Sequence, residues 1–235
     1  MKTRFLTIAA CAMMLLGSCS TVNSNNVEPS EKRVKKDYTG QLAAFDKIET
    51  ATAINVVYTQ NDEPQRVVLD VPENMAKYVS LKVEDGELEV SFKNLHTVKG
   101  NHHTTVYVSG PAIRNFETSS AGNIYLKNGL SYNGEVKIEA SSAGNVHVEA
   151  PVRAKKLDLE SSSAGNIKVN GVEVDRLEVE SSSAGNIKVT GIKAVSVDAE
   201  ASSAGNVTLE GTCRTFSKEK SSAGNIHAKN LKRQQ

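Results

Sequence analysis

The chain has 235 residues, with 28 Lys and Arg against 27 Asp and Glu, a net charge of +1, no Trp and 5% aromatic residues. So even a balance gives no electrostatic support for a nucleic-acid partner, and scarce aromatics argue against a conventional aromatic-lined cleft. Beyond the leader only Cys19 and Cys213 remain, and Cys19 reads as a lipid attachment point. An exported domain without an internal disulfide must then rest on its core or on repetition.

Residues 1–18 read as a lipoprotein signal peptide. Lys2 and Arg4 precede an apolar run from Phe5 to Leu16, followed by Leu16-Gly17-Ser18-Cys19. The run is shorter than the roughly 20 residues a membrane-spanning helix needs. The Cys19 thiol, directly after small residues, is the expected lipidation site. Such an anchor gains roughly 0.8 kcal/mol per buried CH₂ and makes the membrane a partner. This implies an outer-membrane lipoprotein of the cell envelope, on either its periplasmic or its exterior side. Residues 19–39 are polar and read as a lipidated tether. Residues 40–235 read as a single domain, irregular over 40–111 and regular over 112–231.

The early region is β in texture. Ile54 to Thr59 and Arg66 to Val71 flank a turn cluster at Gln60 to Pro64. Leu81 to Val83 and Leu88 to Phe92 flank Glu84-Asp85-Gly86-Glu87, a hairpin signal. A short helical turn is expected near Pro72 to Tyr78. His102-His103 is the only adjacent His pair, and neighbours on a strand point to opposite faces, which argues against a shared metal.

From there one word recurs six times, Ser-Ser-Ala-Gly-Asn, with glycines at 122, 144, 165, 185, 205 and 224. A period near 20 residues predicts a solenoid whose units bury their faces against one another. Between the words the pattern alternates, as in Leu157-Asp158-Leu159-Glu160 and Asn166-Ile167-Lys168-Val169. The fold expected is all-β, a parallel β-helix of about 20 residues per rung, right-handed by the crossover rule, with irregular hairpins at its N-terminal end. The position after each Asn is Ile or Val and should form an interior ladder. Gly and Asn are expected to supply the left-handed backbone of each corner. Asn123, Asn145, Asn166, Asn186, Asn206 and Asn225 are expected to stack as a structural corner ladder of side-chain amides.

Five residues before each repeat Gly stands a Glu, from Glu117 to Glu219. Asp158, Glu160, Glu178, Glu180, Asp198 and Glu200 are thereby placed on one face. Three readings stay open for it: a solvated face screened by lysines, a site for divalent cations, or paired carboxylates of a carbohydrate-active enzyme. Each rung repeats the arrangement, so no unique acid and base stands out. A second outward column, Tyr125, His147, Lys168, Lys188, Thr208 and His227, is polar and mixed. No P-loop, zinc spacing or partnered nucleophile occurs, so no catalytic residue, metal or cofactor is assigned.

The entry Phe45-Asp46-Lys47-Ile48, the Gln60 to Asp70 segment, Val83 to Leu88, Val106 to Pro111 and the repeated Gly-Asn-Ile/Val corners resemble the family of putative auto-transporter adhesins with a head GIN domain, common among Bacteroidetes lipoproteins. The resemblance spans about Phe45 to Leu231. It implies a β-helix similar to pectin-lyase-like folds, a hairpin over Gln60 to Asp70, a role in adhesion and no recognised catalytic residues. Many members carry Gly-Ser-Gly corners where this chain has Ser-Ser-Ala-Gly-Asn. The function expected is a lipid-anchored, non-catalytic binding scaffold or adhesin for an unidentified glycan or protein. The alternatives are a carbohydrate lyase or hydrolase on the same solenoid, and a structural envelope spacer.

Overall fold

A computed structural model describes residues 26–93, 97–98 and 100–234. The expected leader and Cys19 lie outside the described residues. The described regular structure is β except for one 3-10 turn, Glu73–Met75, inside the segment where a helical turn was expected; it seats Met75 in the core.

The repeats stack as coils of a parallel solenoid. Asn166–Ser181 pairs in register with Asn186–Ala201, that strand pairs with Asn206–Lys220 with a register shift after Val189, and the last pairs with Asn225–Arg233 with a shift after Thr208. Alternation decides what points inward. Ile124, Val146, Ile167, Ile187, Val207 and Ile226 form one buried ladder, and Leu157, Leu177 and Val197 belong to another. Each such side chain contributes roughly 1.5–3 kcal/mol on burial, so the columns jointly hold the stack. Gly171 and Gly191 adopt positive φ where the ribbon bends, letting one strand continue around the coil.

At the N-terminal end, stacking order departs from chain order. Lys47–Thr50 pairs with both Asn115–Thr118 and Glu87–Phe92, and Asn55–Gln60 pairs with both Asn123–Leu126 and Thr105–Gly110. The level built from Glu87–Phe92 and Thr105–Gly110 therefore lies outside the coil that precedes it in sequence. This corrects the expected hairpin over Gln60 to Asp70. Thr105–Gly110 runs between Asn55–Gln60 and Arg66–Pro72, parallel to the first and antiparallel to the second. The other hairpin forms, with Val79–Glu84 antiparallel to Glu87–Phe92 across Asp85 and Gly86, both at positive φ.

The tether is also corrected in part. Arg33–Asp37 is a strand antiparallel to Arg66–Pro72, and Arg33 pairs with Asp70 at 2.8 Å. Asn26–Val27 pairs with Thr97–Val98. A polar composition concealed these strands, because an outer strand of a cap is held by backbone pairing and needs few apolar side chains.

Candidate binding faces

The corner column is the most regular feature. In every repeat the second Ser and the Ala adopt positive φ, as at Ser163 (47°) and Ala164 (65°), while the Gly that follows does not. The corner is a two-residue turn closed by a Gly N–H donating to the Ser carbonyl three residues back, 2.7 Å at Gly165. Glycine is required for a different reason from the one expected. A Cβ at Gly165 would lie 2.2 Å from the Ala140 carbonyl oxygen of the coil beneath, and at Gly205 2.2 Å from that of Ser181. The constraint is close approach between rungs, not left-handed backbone.

Behind each corner the asparagines form a chain of amides. Each Nδ2 donates to the Oδ1 of the preceding rung at 2.9–3.2 Å, from Asn123 on Asn55 through Asn145, Asn166 and Asn186 to Asn206. Each also donates to the Ala carbonyl two residues back, 3.1 Å at Asn145. Asn225 stands in register with Asn206. The ladder begins one level earlier than the repeat suggested, because Ala51-Thr52-Ala53-Ile54-Asn55 makes the same corner with Ile54 in the glycine position.

The carboxylate face is longer than six rungs. Glu89, Glu49, Glu117, Glu139, Glu160, Glu180, Glu200 and Glu219 are consecutive register partners. Asp158, Glu178 and Asp198 line up beside them. Basic residues intervene. Lys137 pairs with Glu139 and Glu160, Lys156 reaches Glu178 at 2.7 Å and Glu135 at 2.8 Å, and Arg176 reaches Glu178 at 2.7 Å and Asp198 at 3.1 Å. Burial within the column raises several of these carboxyls. Burial, then Glu139, Glu49 and Glu87, push Glu117 up to about 7. Burial and Glu160 push Asp158 up to about 6 against the pull of Lys156. Glu178 goes the other way, since Lys156 and Arg176 together outweigh its burial. Two grooves of about 120 Å³ run between the Glu column and the neighbouring serines. Among the described residues no group of three or more His, Cys, Asp or Glu side chains is placed to hold a metal ion.

The wall carrying the Asn ladder has a second outward column, two residues further along each strand. It runs Val68, Tyr107, Val57, Tyr125, His147, Lys168, Lys188, Thr208, His227. The sequence showed only its polar half. Its first members come from three strands far apart in the chain, so no period revealed that Val68, Tyr107 and Val57 continue the column. Tyr125 and His147 stack with centroids 5.6 Å apart and planes 12° from parallel, and the Lys127 ammonium lies 5.5 Å from the Tyr125 ring. Lys127 is itself paired with Glu149. Beside this column the loop Gly100 to His103 overhangs Ala53, Ala121, Asn55 and Asn123, enclosing a cleft of about 460 Å³. The two histidines diverge: His102 is buried edge-on against Phe92 and accepts the Thr104 N–H through Nδ1, whereas His103 is exposed. Arg33 holds the loop by donating to both histidine carbonyls.

Solved structures of similar fold are known. A putative adhesin from Bacteroides fragilis aligns with a TM-score of 0.74 at 23% identity, covering 86% of this chain and 99% of that one. A putative adhesin from Parabacteroides merdae gives 0.68 at 21%, over 86% and 98%. A putative lipid binding protein from Parabacteroides distasonis gives 0.66 at 16%, over 89% and 100%. Among curated proteins none matches this sequence. The family described as putative auto-transporter adhesin, head GIN domain, matches residues 44–172 and again 159–235. With both the repeated coils and the early levels inside those matches, the chain belongs to that family.

Proposed function

We propose that the chain is a lipid-anchored protein of the cell envelope, exported by residues 1–18 and acylated at Cys19, that binds a glycan or protein through its solenoid faces and performs no chemistry. The observation that carries this reading is repetition on the outside. Glu160, Glu180 and Glu200 occupy equivalent places on successive rungs, whereas catalysis by paired carboxylates needs one acid and one base in different surroundings. Extended ladders suit multivalent surface contact instead. The adhesin label of the family supports the same view, and no helix among the described residues is long and apolar enough to cross a membrane.

Two measurements test it. Palmitate fed to an expressing bacterium should label the full-length chain and not its Cys19→Ala variant. The full-length chain, purified in a zwitterionic detergent, should be retained on arrays of envelope and host glycans or on crosslinked envelope protein; retention by neither ends the reading. A second reading, a carbohydrate lyase or hydrolase, draws on Glu117, whose carboxyl is held near 7 beside Glu139. Polysaccharide turnover that vanishes in Glu117→Gln would establish it.

A further inference from the structure

Among the described residues one outward column carries several apolar side chains in a row. Val68, Tyr107, Val57 and Tyr125 follow one another across four neighbouring strands on the outward side. Tyr107 is 44% exposed, one of only two large hydrophobic residues so open among the described residues. An apolar stripe rimmed by polar groups on a surface of this kind marks a place of contact.

Its rim is specific. Two residues back along their strands stand Asn55 and Asn123, which also line the 460 Å³ cleft under the Gly100 to His103 loop. The amide ladder starts there. Asn55 accepts from Asn123 through Oδ1, and no acceptor among the described residues meets its own Nδ2. The donor end of the ladder thus opens beside the stripe. Every residue lining the cleft is neutral apart from the two histidines, and burial, with Arg33 close by, lowers the pKa of the His102 imidazole below its usual value. Lys127 beside Tyr125 is neutralised by Glu149.

We propose that this end of the ladder wall is a binding site for a neutral saccharide. A pyranose has apolar C–H faces and a rim of hydroxyls, and the site offers both counterparts: aromatic and aliphatic side chains for the faces, amide and imidazole groups for the rim. Tyr107 and Tyr125 stand two rungs apart, about 9.5 Å, with only Val57 between them. That spacing admits one sugar ring with carbon contacts of about 3.5–4.0 Å on either side. An anionic glycan or a charged peptide would find no partner in the neutral lining. The site deepens the proposed binding function and rests on it.

The test uses the full-length chain in zwitterionic detergent, titrated with cello-, chito-, xylo- and manno-oligosaccharides, with polygalacturonate as the charged comparison. With no Trp and six Tyr in the chain, the tyrosine fluorescence change lost in Tyr107→Ser reports on the site, and calorimetry confirms stoichiometry. At least one neutral oligosaccharide should bind, with affinity insensitive to added salt. Tyr107→Ser and Tyr125→Ala should each weaken it about tenfold or more, equivalent to about 1.4 kcal/mol, while Lys229→Gln, an exposed change at the far end of the stack, leaves it unchanged. Tyr107→Ser removes an exposed ring and leaves the core intact, so it decides the matter even if Tyr125→Ala misfolds. Absence of binding to all four neutral series overturns the site. Binding that survives Tyr107→Ser overturns it too. Capture of protein or polygalacturonate alone would overturn the saccharide site and leave the broader binding function standing.

Discussion

A methyl group placed on Gly165 would meet the Ala140 carbonyl oxygen at 2.2 Å, while Ala164 beside it already sits at φ 65°. The two positions should therefore respond in opposite senses to trading Gly and Ala. Gly165→Ala forces adjacent rungs apart and should destabilise by about 1–3 kcal/mol or more, whereas Ala164→Gly relieves left-handed strain and should stabilise by up to about 1 kcal/mol. Denaturant midpoints of the two variants check this, and destabilisation by Ala164→Gly would contradict it. Titration is a second property of single residues. Glu117 is held up to about 7 against an ordinary 4.5, by burial and by Glu139, Glu49 and Glu87, with Lys137 opposing. The folded chain keeps a proton that the unfolded chain has released between those values. Stability should then fall as pH rises from about 4.5 to about 7 and stay lower above. Asp158, held near 6 against 3.8, adds in the same direction. Glu117→Gln should flatten this decline, read as melting temperature in buffers spanning that range. An unchanged slope would show that Glu117 is not the titrating group.

In the strands, inward and outward neighbours carry opposite tolerances. Ile187 is 2% exposed, stacked between Ile167 and Val207, and Lys188 points to solvent. Ile187→Asp should cost more than the ~2–5 kcal/mol of a plain truncation, since it also buries a carboxylate. Lys188→Asp should stay within about 0.5 kcal/mol. Chemical denaturation of the two separates them, and equal losses would mean the faces are reversed. This alternation was legible because Leu157-Asp158-Leu159-Glu160 and its repeats state it residue by residue, and the Asn column was legible because one word marks every corner. The first two coils were not. Ile54 in place of Gly disguises the Asn55 corner, and the strand at residues 105–110 inserts between two segments that lie close together in sequence. Parallel pairing between strands distant in the chain leaves no period to read. The same gap hid Glu49 and Glu89 from the carboxylate column and Tyr107 from the aromatic stripe.

Over the whole molecule the two ends of the stack are finished differently. At the N-terminal end antiparallel strands, Val79–Glu84 and Arg66–Pro72 with Arg33–Asp37, cover the first coil. At the other end the Asn225–Arg233 strand meets no further strand among the described residues. Its corner repeats the word of every inner coil, so it offers the hydrogen-bonding template that other coils stack upon, a hazard for end-to-end association. Charge answers it. Beneath Ala199 and Ala201, both in buried columns, the terminal coil places Lys218 and Lys220, both exposed. Arg214, Lys229, Lys232 and Arg233 belong to the same last two strands. Two such ends brought together would confront cations on both sides and leave lysines in the apolar columns, which works against stacking where the backbone invites it. Replacing both, as Lys218→Val with Lys220→Ala, continues the apolar columns to the edge and should make the chain associate more strongly with rising concentration than the parent does. Light scattering after size exclusion would follow this. If the double variant gave the same mass as the parent at every concentration, the lysines would have no part in keeping the ends apart.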